Sequence, residues 1–371
     1  MNLFSLLVLS VFALFHYVGY RFWLSYWVQN QNMRRLFIFL LIINYIANVA
    51  YFFARYEIEV PLWLYHLLSL SIGMSFIVML SSVATIVLRY LLLIPFSRNR
   101  RKSVKKMAAL GGSVFMVGYS SAAIYEGHLF PQVESVQLTI KNLKQPLKAV
   151  QLSDLHIGGL IGESYVRQLV ESVNRLQADI IFLTGDMTDS PIHQIATSVA
   201  LLGDMQSRLG IYYVLGNHEF FHGVSDALGA MQSAGIRSLL NDCAVVDGLI
   251  NVVGVSDLFG AKLGMPPDLD KALEGVDSSL PTILLAHQPR FVKEFVAQQN
   301  APIDLVLSGH THGGQIAPFS ILVRMQQGFL KGLYSVNERT QLYVNRGTGF
   351  WGPPMRLMSR AEITLLELKP S

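Results

Sequence analysis

A single cysteine, Cys243, stands in a chain of 371 residues, which excludes an internal disulfide and leaves the redox compartment open. Charge is scarce as well: Asp, Glu, Lys and Arg make up 15% of the chain against 51% hydrophobic residues. The scarcity is uneven. Up to Gly127 there are 3 acidic and 11 basic residues, whereas the remainder holds 22 and 18. The basic excess therefore belongs to the N-terminal third. The mildly acidic remainder lacks the basic surface that a nucleic-acid-binding domain needs.

What fills the N-terminal third is apolar. Four stretches, residues 3–23, 36–53, 62–94 and 107–125, each approach the roughly 20 apolar residues that a membrane-spanning helix requires. The third is too long for one helix along the membrane normal and too short for two with a turn. It reads as one long or tilted helix, with Arg89 snorkelling near its end. In the fourth, Gly111, Gly112, Ser113, Gly118, Ser120 and Ser121 dilute the hydrophobicity, and small residues in membrane helices mark close packing. Arg21, Arg34 and Arg35 in the first loop, and Arg98, Arg100, Arg101, Lys102, Lys105 and Lys106 in the third, put both loops on the cytoplasmic side. The second loop, with Arg55 beside Glu57 and Glu59, falls outside, as does everything after the fourth span. The basic run ahead of the fourth span also resembles, loosely, an internal twin-arginine export signal, which gives the same placement. His16, Asn44, Asn48 and His66 lie within the spans without an acidic partner. They read as packing or interhelical hydrogen-bonding groups rather than a transport path.

From His128 onward the pattern changes to short apolar runs between amphipathic segments. Strands are expected at 133–140, 147–152, 180–183, 211–215, 250–255, 282–286 and 303–307, and helices at 165–176 and 195–205. The chain thus divides into a membrane region, 1–127, and an α/β layered domain, 128–371. Five of these strands end on polar groups: Asp154 with His156, Asp186, Asn217 with His218, His287, and His310 with His312. Open α/β sheets gather their sites beyond the carboxyl ends of strands. Singly, each group has an ordinary explanation as a helix cap, a turn residue or a hydrogen-bonded core histidine. Together they point to one site. His310 and His312, two apart at a strand end, point the same way if the segment is extended.

Asp-x-His, Gly-Asp, Gly-Asn-His-Glu, the lone histidine of Leu-Ala-His-Gln-Pro and Gly-His-Thr-His, in this order, resemble the calcineurin-like metallophosphoesterase superfamily. Gly-His-Thr-His-Gly-Gly-Gln and the later Gly-Thr-Gly-Phe-Trp-Gly-Pro-Pro resemble its membrane-linked single-domain subgroup. The resemblance spans residues 147–368 and implies a two-sheet β-sandwich flanked by helices, with two divalent ions (Mn, Fe or Zn) at one edge. One ion would take Asp154, His156, Asp186 and His312, the other Asp186, Asn217, His287 and His310, with Asp186 bridging. Mixed carboxylate, amide and imidazole ligands suit those ions, and a bridged pair about 3.5–4 Å apart clamps a phosphoryl group. His218 is then the proton donor to the leaving group or a stabiliser of its charge, oriented by Asp189. Where some related phosphatases carry an arginine next to that aspartate, Ser190 stands here, so Arg346 is the substitute candidate for a phosphate contact. His222 reads as peripheral.

The resulting expectation is a multi-pass membrane protein with a metal-dependent phosphohydrolase domain on the extracytoplasmic side, acting on a phosphomonoester or phosphodiester. The alternative is a catalytically silent binding scaffold of the same fold. Apolar side chains in 321–334 and in 350–355, Trp351 among them, suit a membrane interface. They extend the expectation to a lipid-linked phosphate as substrate, with Trp351 as a substrate contact.

Overall fold

The computed structural model describes residues 3–25, 30–56, 58, 60–93, 98–297 and 301–371; two loop charges used for orientation, Glu57 and Glu59, lie outside the described residues. The chain forms two compact units, Met1–His128 with Gly352–Met355, and Leu129–Trp351 with Arg356–Ser371.

Among the described residues the first unit contains four helices: α1 (Leu3–Val18, continued by a wider turn Gly19–Leu24), α2 (Gln31–Tyr56), α3 (Leu62–Leu93) and α4 (Arg98–His128). All four carry runs long and apolar enough to cross a membrane. The 32 residues of α3 form one unbroken helix, about 48 Å long at 1.5 Å per residue. That exceeds the roughly 30 Å of a hydrocarbon core, so α3 must tilt or project. The helix α4 begins at Arg98, ahead of its apolar stretch. The basic run placed in the third loop is therefore helical backbone, as Lys and Arg allow. A Cβ on Gly112 would sit 2.1 Å from Thr85 Oγ1, which accounts for the small residues of α4 where it packs on α3.

The polar groups of the spans form an interhelical network. Asn48 Nδ2 donates to Ser75 Oγ at 2.7 Å, Ser71 Oγ donates to Asn48 Oδ1 at 2.8 Å, and Asn44 Nδ2 donates to Ser75 Oγ at 2.9 Å. Asn44 also reaches His16 Nε2 at 3.1 Å, while His16 Nδ1 lies 2.7 Å from Phe12 O. With the ring proton on Nδ1, both contacts are satisfied. His66 stacks on His128 with ring centroids 5.3 Å apart.

The second unit is a sandwich of two six-stranded sheets. The first runs, edge to edge, β1 (Gln132–Ile140), β12 (Glu362–Pro370), β2 (Leu147–Leu152), β3 (Ile180–Thr184), β4 (Ile211–Val214) and β5 (Arg237–Ser238). The second runs β10 (Gly332–Ser335), β11 (Gln341–Val344), β9 (Leu305–Ser308), β8 (Thr282–Leu285), β7 (Ile250–Gly254) and β6 (Asp242–Val246). Within β3, Ile180 and Phe182 enter the cluster between the sheets. Ile181 and Leu183 pack with Val166, Leu169 and Val199 of the helices Glu163–Asn174 and Ile192–Ala200. The strand alternates, yet both faces are buried, which is why it reads as a continuous apolar run. Each fully buried aliphatic side chain contributes roughly 1.5–3 kcal/mol.

Strands β2, β3 and β4 are mutually parallel, as are β7, β8, β9 and β11. Their carboxyl ends meet at one edge. Gln151 Nε2 donates to Ser308 O at 3.0 Å, and His287 Nδ1 lies 2.8 Å from Thr184 O, so the two sheets are tied where their loops begin.

Candidate metal centre

Every ligand-type residue singled out in the sequence emerges at that edge. Asp154 and His156 follow β2, Asp186 follows β3, Asn217 and His218 open the short helix Asn217–His222 after β4, His287 follows β8, and His310 and His312 follow β9. The backbone there is unusual. Asp154, His156, Asp186, His310 and His312 all have left-handed φ values, between 49° and 67°. This conformation costs an L-residue roughly 1–2 kcal/mol and persists only where the surroundings impose it. The strand ends also approach closely: a Cβ on Gly309 would sit 2.3 Å from Asp154 Oδ2.

The extended geometry expected for His310 and His312 is therefore not found. A left-handed kink at each residue, and the tight turn His312–Gly314, send the two rings to different partners. His312 Nε2 lies 3.0 Å from His156 Nε2 and 3.4 Å from Asp154 Oδ1. His310 Nδ1 lies 3.2 Å from His287 Nε2, which is itself 3.2 Å from Asp186 Oδ2. Two groups result, Asp154–His156–His312 and Asp186–His287–His310, each with its candidate ligand atoms within 4.8 Å of one another. Asp186 Oδ2 also lies 3.9 Å from His156 Nε2, between the groups. A third grouping, His156–Asp189–His218, overlaps the first through His156.

The donor set fits divalent cations on this chain's own geometry. At 3.0 and 3.2 Å, two pairs of ring nitrogens face each other, and at most one proton can sit between each pair. The amide oxygen of Asn217 is buried with no hydrogen-bond partner among the described residues, an arrangement that costs free energy unless something binds it. Burial pushes His310 down to about 3 and His312 well below the usual histidine range, so both rings keep lone pairs for a metal. Burial pushes Asp154 up to about 6. For Asp186 burial acts upward too, but His287 and His218 outweigh it and hold the carboxyl well below its ordinary value. His287 is raised in turn by Asp186, against the effect of its burial.

The predicted helper residues separate. His218 Nδ1 lies 2.6 Å from Asp189 Oδ1, and its Nε2 is 3.9 Å from Asp186 Oδ2. His222, read as peripheral, has its Nε2 3.5 Å from the same Asp189 oxygen. Trp351 stands with its ring 6.2 Å from that of His218 and is 44% exposed. Its backbone N–H donates to Gln315 Oε1 and its carbonyl accepts from Gln315 Nε2. The guanidinium of Arg346, the substitute candidate for a phosphate contact, is held by Glu362 and Glu134. Met355, grouped above with residues suited to a bilayer surface, is fully buried in the unit that holds the helices, and Phe350 packs against the core of the domain.

Two residues without an assigned part in the sequence hold the centre together. Glu219 is fully buried and accepts from the backbone N–H groups of Gly216 (2.7 Å), Thr188 (3.0 Å) and Asp186 (3.1 Å), locking two ligand loops to each other. Its signal was present as the last letter of Gly-Asn-His-Glu. Arg356, 1% exposed, donates to the carbonyls of Ser359 (2.7 Å), Arg346 (3.0 Å) and His312 (3.3 Å), with Nη2 3.3 Å from His312 Nδ1. Nothing in its local sequence, Pro-Met-Arg-Leu, marks a buried cation.

The calcineurin-like phosphoesterase profile matches residues 147–314. A Helicobacter pylori chain named as an uncharacterized metallophosphoesterase is 35% identical over 370 residues, covering 99% of both chains. An Aquifex aeolicus chain of the same name is 31% identical over 265 residues, covering 69% of this chain and 97% of its own. A Danio rerio protein named as a transmembrane protein with metallophosphoesterase domain is 40% identical over 252 residues, covering 64% of this chain and 57% of its own.

Proposed function

Because the chain belongs to the calcineurin-like metallophosphoesterase family, we propose that it is a membrane-anchored hydrolase that holds two divalent cations at one sheet edge and cleaves a phosphomonoester or phosphodiester. The observation that carries this reading is the position of Asp186, whose Oδ2 lies 3.2 Å from a nitrogen of one ligand group and 3.9 Å from a nitrogen of the other. Asp154, His156, Asp186 and His312 would hold one ion, and Asp186, Asn217, His287 and His310 the second. Bound there, Mn, Fe or Zn supplies Lewis acidity toward a phosphoryl oxygen and toward water.

The chain's own chemistry lies beside the ions. Asp189 lies against Nδ1 of His218, and Nε2 stands on the side of the ligand groups, 3.9 Å from Asp186 Oδ2. A proton on that nitrogen is delivered to the departing oxygen. The rings of Phe221 and Trp351 stand 5.2 and 6.2 Å from the imidazole, and these side chains are 51% and 44% exposed. A leaving group on this side meets aromatic walls, which favours an apolar alcohol and supports a lipid-linked phosphate as substrate. The loop charges support a domain on the extracytoplasmic side.

The test is hydrolysis by the purified full chain in detergent, stripped by a chelator and then reloaded with Mn, Fe or Zn. A monoester, a diester and a lipid-linked phosphate are assayed side by side. Activity that vanishes on stripping and returns on reloading supports the proposal. Rebinding of metal with no hydrolysis of any of the three would instead mark a binding scaffold.

A further inference from the structure

The helix Phe319–Gln327 shows its apolar side chains to solvent. Phe319 is 44% exposed, Ile321 61%, Leu322 59% and Met325 77%, whereas the polar Gln327 is the buried one. Positions 321, 322 and 325 lie on one face of a helix. Isolated exposed apolar residues are ordinary on any surface, but a contiguous set on one short helix marks a surface that something covers.

Charge says what covers it. From Leu305 to Asn337 the chain has no acidic residue, while Arg324 and Lys331 stand within or beside the helix. Apolar side chains interspersed with cations and free of carboxylates are the composition of helices that lie in the headgroup region of an anionic bilayer. Connectivity agrees: α4 ends at His128 and β1 starts at Gln132, so the domain is tethered to its candidate membrane spans by three residues, about 10 Å of extended chain.

We propose that Phe319–Gln327 is an interfacial helix that lays Ile321, Leu322 and Met325 into an anionic lipid surface. The helix is continuous with the metal centre. Its first turn packs so closely on the loop after His312 that a Cβ on Gly314 would meet Ser320 Cα at 2.3 Å. At its far end, Thr311 Oγ1 donates to Leu330 O at 2.6 Å. A helix fixed in the lipid surface therefore fixes the orientation of the loop that carries His310 and His312. This inference goes beyond the hydrolytic reading and does not need it: the docking holds for a silent scaffold too.

The test uses the full chain in proteoliposomes, with Cys243→Ser removing the one native cysteine. Leu322→Cys, Met325→Cys and, as control, Ser278→Cys each carry an environment-sensitive fluorophore; Ser278 lies in the turn before β8, at the opposite end of the strand from the centre. Nitroxide-labelled phosphatidylglycerol should quench the labels at 322 and 325 severalfold more than the label at 278, and a water-soluble quencher should show the reverse order. Dilution to one chain per vesicle should leave the pattern unchanged. Equal quenching at all three sites overturns the proposal. Protection that disappears on dilution overturns it as well, since a second copy rather than lipid would then cover the helix. Because no readout depends on turnover, failure here leaves the hydrolase reading untouched.

Discussion

Asp189 sits 2.6 Å from Nδ1 of His218, and in the proposed reading this contact assigns Nε2 as the nitrogen that would meet a substrate. Since His218 lies outside the proposed ligand set, His218→Ala should retain both ions while slowing hydrolysis by about 10²–10⁴-fold. The loss should shrink for esters with very good leaving groups, which need little protonation. Steady-state rates on a leaving-group series, with metal content measured on the same preparations, check both halves, and loss of an ion would show the histidine to be misassigned. At this scale the sequence was informative about residue type and poor about partners. Five short motifs in order name the polar groups that the fold gathers. Arg346 looked available because its two carboxylate partners, Glu134 and Glu362, lie on strands far from it in the chain or across a turn. Arg356 was invisible because its partners are mostly backbone carbonyls, which leave no trace in a sequence.

The elements were legible where periodicity is local. The run 147–152 is β2 to the residue, and of the stretch 62–94 the described residues 62–93 are the single helix α3. The loops were not, because left-handed backbone at Asp154, His156, Asp186, His310 and His312 is imposed by contacts between strand ends rather than by the residues themselves. An extended segment would point His310 and His312 the same way, whereas the kinks divide them between two groups, as the family resemblance implies. In the helical unit, residue type predicted interhelical bonding, and the structure supplies the partners. Asn48 is fully buried and bonded to both Ser71 and Ser75 of α3. Asn48→Ala should lower the stability of the helical unit by roughly 0.6–2 kcal/mol, the span found for hydrogen bonds between membrane helices. Equilibrium unfolding in mixed micelles measures this, and an unchanged midpoint would mean that the network contributes nothing net.

At the scale of the molecule, composition separates an apolar, basic third from an acidic remainder, and the first compact unit takes Met1–His128 but also the distant segment Gly352–Met355. The strand β12 shows what composition cannot reach. Its place between β1 and β2 depends on pairing with strands at the other end of the domain, parallel to one and antiparallel to the other. That closure brings β1 into the first sheet and completes the sandwich on which the centre is built. The account as a whole rests on one carboxylate serving two ions, and counting metal tests it most directly. Metal analysis by mass spectrometry on the purified full chain should find about two ions per chain in the wild type, about one in His312→Ala and close to none in Asp186→Asn, because only Asp186 belongs to both ligand sets. An Asp186→Asn chain that still holds two ions and turns over a phosphoester at the wild-type rate would contradict it.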